Sequence, residues 1–230
     1  MSQRAADLAG KAGRRETEAL YEAAAAVREV LFGNASTARQ RTDDALGLSN
    51  SRDVEYRAAF ALALLGDSSR SRALTDDLAR RFPEDTIVRF TYLPALRALV
   101  ALNHSQPTIA VELLQTAIPY ENGIPIEGGS EYLVGAGNLY PAYVRGEAYL
   151  AARRGREAAA EFQKILAHRG IVLSDPIGAL AHLQLGRAYA LSGDGVKARS
   201  AYQEFLTLWR DADPDIPILK QAKGEYAKLQ

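Results

Sequence analysis

Between Pro119 and Tyr143 the chain reads PYENGIPIEGGSEYLVGAGNLYPAY, and this stretch gathers glycines, carboxylates and tyrosines, the residue types that most often carry chemistry. A glycine loop holds phosphate when its N–H groups converge on a helix N-terminus, after a strand and before Gly-Lys-Ser/Thr. GGS and GAG occur here, but no such triplet follows and no strand-like segment precedes them. Gly135 to Asn138, just before a helix at Tyr140, is the place where the backbone could meet an anion weakly. Glu127 and Glu131 are the right types for a general acid and base, yet nothing around them separates their roles, and they read as loop carboxylates. His104, His168 and His182 are too scattered for metal ligation, which needs paired spacing on one element. No catalytic residue, metal site or cofactor is expected.

Composition narrows the field further. The 230 residues carry 28 Lys and Arg against 28 Asp and Glu, so charge gives no reason to expect nucleic acid or an anionic membrane as partner. Zero cysteines removes disulfides, thiolate metal sites and cysteine catalysis together. The most apolar run, PALRALVAL from Pro94, is too short to span a bilayer and includes Arg97. The opening MSQRAADLAGKAGRR lacks the apolar core of a signal peptide.

What positions these residues is a repeat. YPAYVRGEAYLAARRGREAAAEFQKIL and LAHLQLGRAYALSGDGVKARSAYQEFL align without a gap, pairing Gly146 with Gly186, Tyr149 with Tyr189, Ala158 with Ala198 and Phe162 with Tyr202. Small–x2–Tyr followed by Ala–x3–aromatic matches the tetratricopeptide (TPR) pattern, a helix–turn–helix of about 34 residues. Carried backward, the first small position is Ala26, Ala59, Ala98, Gly146 and Gly186; the second is Ala38, Ser71, Ala110, Ala158 and Ala198. Small side chains are needed where two helices approach closely. Turn-like FGNAS, LGDSS, NHSQP and SGDG fall in the same register.

The register predicts an all-α chain, an α-α superhelix (a TPR-like solenoid) of about five repeats at 16–50, 51–85, 86–118, 139–172 and 176–212. Residues 1–15 read as a helix remnant or flexible lead, 119–138 as an insertion, and 213–230 as a capping helix. Ile218, Leu219, Ala222, Tyr226 and Leu229 would cover the last apolar face, as a solenoid end requires. The early tryptophan of the pattern is missing; Glu22, Glu55, Pro94, Ala142 and His182 stand there. The aromatic column is degraded to Thr42 and Leu114 in the first and third repeats.

These segments, with the ending LTLWRDADPDIPILKQAKGEYAKLQ, resemble the C-terminal tetratricopeptide region of bacterial serine/threonine protein kinases and related winged-helix regulators. The resemblance runs from about residue 16 onward. It implies a regulatory or scaffolding module whose catalytic or DNA-binding part lies upstream, cytoplasmic or, in a membrane-anchored kinase, outside the cytoplasm. Kinase signatures within the chain stop at HRG, 168–170, where Gly170 stands in place of the catalytic aspartate.

First helices of such repeats line a concave face. The register places Asp53, Tyr56, Phe60, Tyr92, Leu99, Asn103, Tyr140, Tyr143, Glu147, Leu183 and Arg187 there, an aromatic groove suited to a protein or peptide segment. Tyrosines at helical spacing more often form the core between repeats. In a third arrangement Ile124 to Val134 folds back over the groove. A small ligand is the alternative occupant.

Overall fold

The computed structural model describes residues 2–123 and 139–229, and among these every regular element is helical. A leading helix, α1 (Ser2–Lys11), is followed by five hairpins. They pair α2 (Arg15–Phe32) with α3 (Ala35–Leu48), α4 (Arg52–Leu64) with α5 (Ser68–Arg81), and α6 (Leu93–Asn103) with α7 (Pro107–Leu113). After the insertion come α8 (Tyr140–Ala151) with α9 (Gly155–Ala167), the short α10 (Arg169–Val172), and α11 (Pro176–Leu191) with α12 (Gly195–Leu208). The last helix is α13 (Pro217–Ala227). A π-helical turn over Val88–Tyr92 leads into α6, and α7 runs on as a 3-10 helix, Leu114–Tyr120. Helices pack mainly on their neighbours in chain order.

All five hairpins turn in the same way. The chain leaves the first helix through a left-handed residue: Gly33 (φ 92°), Gly66 (φ 80°), Ser105 (φ 57°), Arg153 (φ 58°) or Gly193 (φ 78°). Each stands at one constant offset beyond the first small position. The next residue, Asn34, Asp67, Gln106, Arg154 or Asp194, stands at the N-cap position of the second helix. The Asp67 and Asp194 carboxylates accept hydrogen bonds from the backbone N–H groups of Arg70 and Lys197, 3.1 Å in both cases. Left-handed backbone is cheap for glycine and costly for Ser105 and Arg153. That substitution is why the fourth turn, AARRG, has no turn-like composition.

The small positions are close-packed, and size is compensated across each hairpin. A Cβ added at Gly146 would stand 2.6 Å from Phe162 Cζ, and one at Gly186 would stand 2.7 Å from Tyr202 Cδ2. Where the first small residue is alanine, the opposing column holds Thr42, Thr75 or Leu114 instead of a ring. Thr42 and Thr75 are buried and donate to the carbonyls of Ala38 and Ser71, at 2.8 and 2.7 Å. Interiors at crystal-like density tolerate only such matched pairs.

At three of the positions where the repeat pattern expects tryptophan, an ionisable residue stands against an ionisable residue of the hairpin's second helix. Glu22 pairs with Arg41 at 2.6 Å, Glu55 with Arg81 at 2.9 Å, and His182 Nδ1 stands 2.8 Å from Glu204 Oε2. A buried charge is tolerated when it is paired in this way.

The two ends behave differently from a frayed stack. At the N-terminus α1 packs on α2 and buries Ala6 and Ala9. Helix α13 buries Leu219 and Ala222 against α12, and it also reaches α2. Phe32 meets Trp209 edge-on with ring centroids 4.8 Å apart, and a Cβ on Gly33 would lie 2.8 Å from Pro217 Cβ. First and last hairpins therefore meet along a seam.

Candidate functional site

Helices α4, α6, α8 and α11, with the π-helical turn before α6, bring the eleven groove residues together, and the structure commits every one of them to contacts within the chain. Tyr56 and Tyr92 stack face to face with centroids 3.6 Å apart. Phe60 packs edge-on against Tyr56 at 5.9 Å and against Tyr140 at 5.2 Å. Tyr56, Phe60, Tyr92, Leu99, Tyr140, Tyr143 and Leu183 are buried. Stacked and edge-to-face rings at these separations give directional stabilisation beyond area burial. A column expected to line a groove is thus the packed interior between the inner helices.

The polar members anchor that interior. Tyr92 donates to Asp53 Oδ1 at 2.9 Å, and Arg52 clamps Asp53 and Asp85 at 3.0 and 2.7 Å. Tyr140 donates to Asp175 Oδ1 at 2.8 Å. Gln184 Nε2 donates to Tyr143 Oη at 3.2 Å and to Glu147 Oε1 at 3.1 Å. Arg187 forks onto both Glu225 oxygens at 2.9 Å each, and Tyr202 adds a third bond to that carboxylate at 2.8 Å. Asn103, although exposed, donates to the Ala63 carbonyl at 2.8 Å. Burial alone would raise the Asp53 carboxyl, but the Arg52 bond and the nearby Arg57 charge hold it below its ordinary range. Burial pushes Glu147 up to about 7 against the opposing pull of Arg187. Glu55 is likewise pushed up to about 7, by burial and by the adjacent Asp77, with Arg81 opposing.

The insertion's first stem is pinned by a buried ion cluster. Arg145 is 0 % exposed; its Nη1 stands 2.7 Å from Glu121 Oε1 and its Nη2 donates to Glu161 Oε2 at 2.6 Å. Lys164 bridges the same two carboxylates at 3.0 and 3.1 Å, which balances two cations against two anions. Glu127, Glu131, the Ile124 to Val134 cover and the Gly135 to Asn138 anion site lie outside the described residues.

The three histidines stay apart. His104 Nε2 is 3.3 Å from Arg72, His168 Nδ1 is 2.7 Å from the Lys164 carbonyl, and His182 faces Glu204. Burial lowers the His182 imidazole below its ordinary value, with the Glu204 charge opposing. Among the described residues no group of three His, Cys, Asp or Glu side chains stands close enough to hold a metal ion. No helix among them is long and apolar enough to cross a membrane.

Open space lies beside α6 and α7, in a cavity of about 530 Å³ lined by Arg89, Phe90, Arg97, Ile109 and Glu112, and at the seam. A cavity of about 640 Å³ is walled by Phe32, Trp209, Leu208 and Ile216, with Arg28 and Asp175 among its polar lining. A second cavity of about 350 Å³ adjoins it, sharing Ser174, Asp175, Ala179 and Leu208 and reaching His182 and Arg169. Arg28 feels the charges of Glu29, Tyr140 and Asp175, and burial is the main influence lowering its guanidinium below the ordinary value. None of Arg28, Phe32 and Asp175 is marked by the repeat register, because the seam joins the first hairpin to the end of the chain. The lone tryptophan, and the Asp-Pro pair that opens α11, were the available signals.

No protein-family model matches the chain, and no curated protein is detectably similar to it.

Proposed function

We propose that the chain is a non-catalytic interaction module, an α-α superhelix of five tetratricopeptide-type repeats with α13 as its cap. In this reading it serves as the regulatory or scaffolding part of a larger bacterial signalling protein, such as a serine/threonine kinase, working in the cytoplasm. The observation that carries the reading is the common turn: five left-handed residues at one offset from five small, buried positions. The acids, bases and hydroxyls of the inner face are spent on joining helices, which is the work of a scaffold. Scaffolds of this kind act through the surfaces they present, and fold alone does not name the partner. With the aromatic column packed, a protein segment engages at the seam, where Phe32, Trp209 and Ile216 line an open cavity.

Photo-crosslinking tests this. A crosslinker at position 32 should join a captured partner, whereas one at Val196, on the outer surface of α12 and 72 % exposed, should not. Adducts from Val196 alone would overturn the seam as the docking edge. The larger-protein part of the proposal predicts an in-frame kinase or winged-helix domain encoded upstream of Met1.

A second reading, a regulatory domain that senses a small ligand, is favoured by the open-mouthed seam cavity. Its volume falls within the range of about 300–1,000 Å³ usual for small-molecule sites.

A further inference from the structure

The third hairpin leaves open a position that the other four close. The residue before the first small position is Ala25, Ala58, Arg97, Arg145 or Leu185, and all of these except Arg97 are buried. Arg97 is exposed, and it lines the cavity of about 530 Å³ beside α6 and α7. Both flanks of this hairpin depart from α geometry. The π-helical turn before α6 supplies Arg89 and Phe90 to the cavity. Helix α7 stops after 7 residues, against 13 or 14 in the other second helices, and its 3-10 continuation supplies Thr116. Single π-helical turns recur at functional sites.

Arg145 shows what surrounds an arginine at this position when the chain supplies it. Glu121 and Glu161 stand 2.7 and 2.6 Å from its guanidinium, and Lys164 bridges them. In the repeat register Phe82, Leu113 and Thr116 stand one hairpin earlier where Glu121, Glu161 and Lys164 stand. The carboxylates are therefore missing, and no hydrogen bond or ion pair among the described residues engages Arg97. Arg89 is paired with Glu84 at 3.5 Å and lies over the Phe90 ring, so it is already balanced. Glu112 shares the cavity but forms no ion pair with either arginine among the described residues. Apolar surface flanks the free guanidinium: Ile109 is 44 % exposed, and half-buried Phe90 stacks on exposed Tyr120 with centroids 4.6 Å apart. Exposed apolar groups gathered in this way mark interaction sites.

We propose that this cavity docks a segment of a partner protein in which one glutamate or aspartate stands beside an aliphatic or aromatic side chain. The carboxylate sits on Arg97 as Glu161 sits on Arg145, a charge-assisted pair suited to the guanidinium fork. The apolar neighbour lies against Phe90, Leu93 and Ile109, as an anchor in a pocket. Glu112 repels a second acid, so the segment carries a single acidic anchor and not an acidic run. This face shares no lining residue with the seam cavity. It rests on the interaction-module reading above and is independent of the seam.

Random dodecapeptides displayed on phage would be selected on the intact chain, and the enriched sequences synthesised with a fluorophore for anisotropy titration. The enriched peptides are expected to carry an isolated Glu or Asp next to Leu, Ile or Phe. Arg97→Gln should weaken their binding at least about tenfold, the loss of one charge-assisted pair. Arg97→Glu should bind a peptide whose acid is replaced by lysine better than it binds the parent peptide, a reversal that misfolding does not produce. Ile109→Ser, at an exposed side chain, should weaken the parent peptides through the apolar contact alone. Binding that ignores Arg97→Gln, or enrichment of basic peptides, would overturn the proposal. Peptides that ignore Arg97 yet crosslink through position 32 would overturn it and leave the interaction module standing at its seam. Failure to enrich any peptide would overturn both.

Discussion

Phe32, the last residue of α2, meets Trp209, just past α12, edge-on with centroids 4.8 Å apart and 81° between the ring planes. The contact joins the first hairpin to the last, and with Pro217 against Gly33 it closes what the repeat pattern alone would leave open. It turns the end of the chain from a simple cover into a structural bridge.

Truncating one side of this bridge should loosen the whole. Phe32 is only half-buried, so Phe32→Ala should cost about 2 kcal/mol, below the 3–5 typical of a core phenylalanine. Trp209 should become more hydrated. Thermal unfolding and tryptophan emission measure both effects, and an unchanged melting temperature with unshifted emission would show that the seam carries no stability.

Size compensation within a hairpin predicts a rescue. Gly146→Ala pushes a methyl to 2.6 Å from the Phe162 ring, and overpacking of this kind costs about 1–3 kcal/mol, less up to about 1 kcal/mol regained from helix propensity. In a Phe162→Leu background the same substitution should cost less. Urea unfolding of the four species gives the coupling energy, and strict additivity would contradict the pairing.

The buried ion cluster behind the insertion should be unforgiving. Arg145→Met leaves Glu121 and Glu161 with only Lys164 to balance them, and breaking a buried pair from one side costs about 3–5 kcal/mol. Equilibrium denaturation measures the loss. A cost below about 1 kcal/mol would mean that the cluster is solvated.

Glu147 predicts a pH dependence with a definite sign. Its carboxyl rises from 4.5 to about 7 on folding, so the folded chain holds this proton more tightly than the unfolded chain does. Its contribution to stability is complete below pH 4.5 and declines as pH rises towards about 7, by at most about 1.4 kcal/mol per pH unit. Glu55 adds a slope of the same sign. Glu147→Gln keeps an acceptor for Gln184 and should remove its own share, flattening the profile of melting temperature against pH between 4.5 and 7. Superimposable profiles would contradict the buried, proton-holding carboxyl.

Much of the helical arrangement is legible in the residues, and the reasons are local. Ala26, Ala59, Ala98, Gly146 and Gly186 mark close helix approaches, and Gly33, Gly66 and Gly193 mark turns because left-handed backbone favours glycine. Arg153 hides its turn by taking that conformation without being glycine. Helical register identifies which tyrosines face inward but carries no information on whether neighbouring inner helices leave a gap. Phe60 against Tyr140 and Tyr56 against Tyr92 depend on how tightly successive hairpins wind, a long-range property. The seam was hidden for the same reason: Phe32 and Trp209 sit in unlike hairpins, and no local pattern links them.

Chemical nitration of the folded chain tests most directly whether the aromatic column is a sealed interior. Mass spectrometry of tetranitromethane-treated protein should find Tyr120, which is 36 % exposed, modified, and Tyr56, Tyr92, Tyr140 and Tyr143 untouched. Nitration of Tyr56 or Tyr140 at the rate of Tyr120 would contradict the packed interior and return those rings to an open groove.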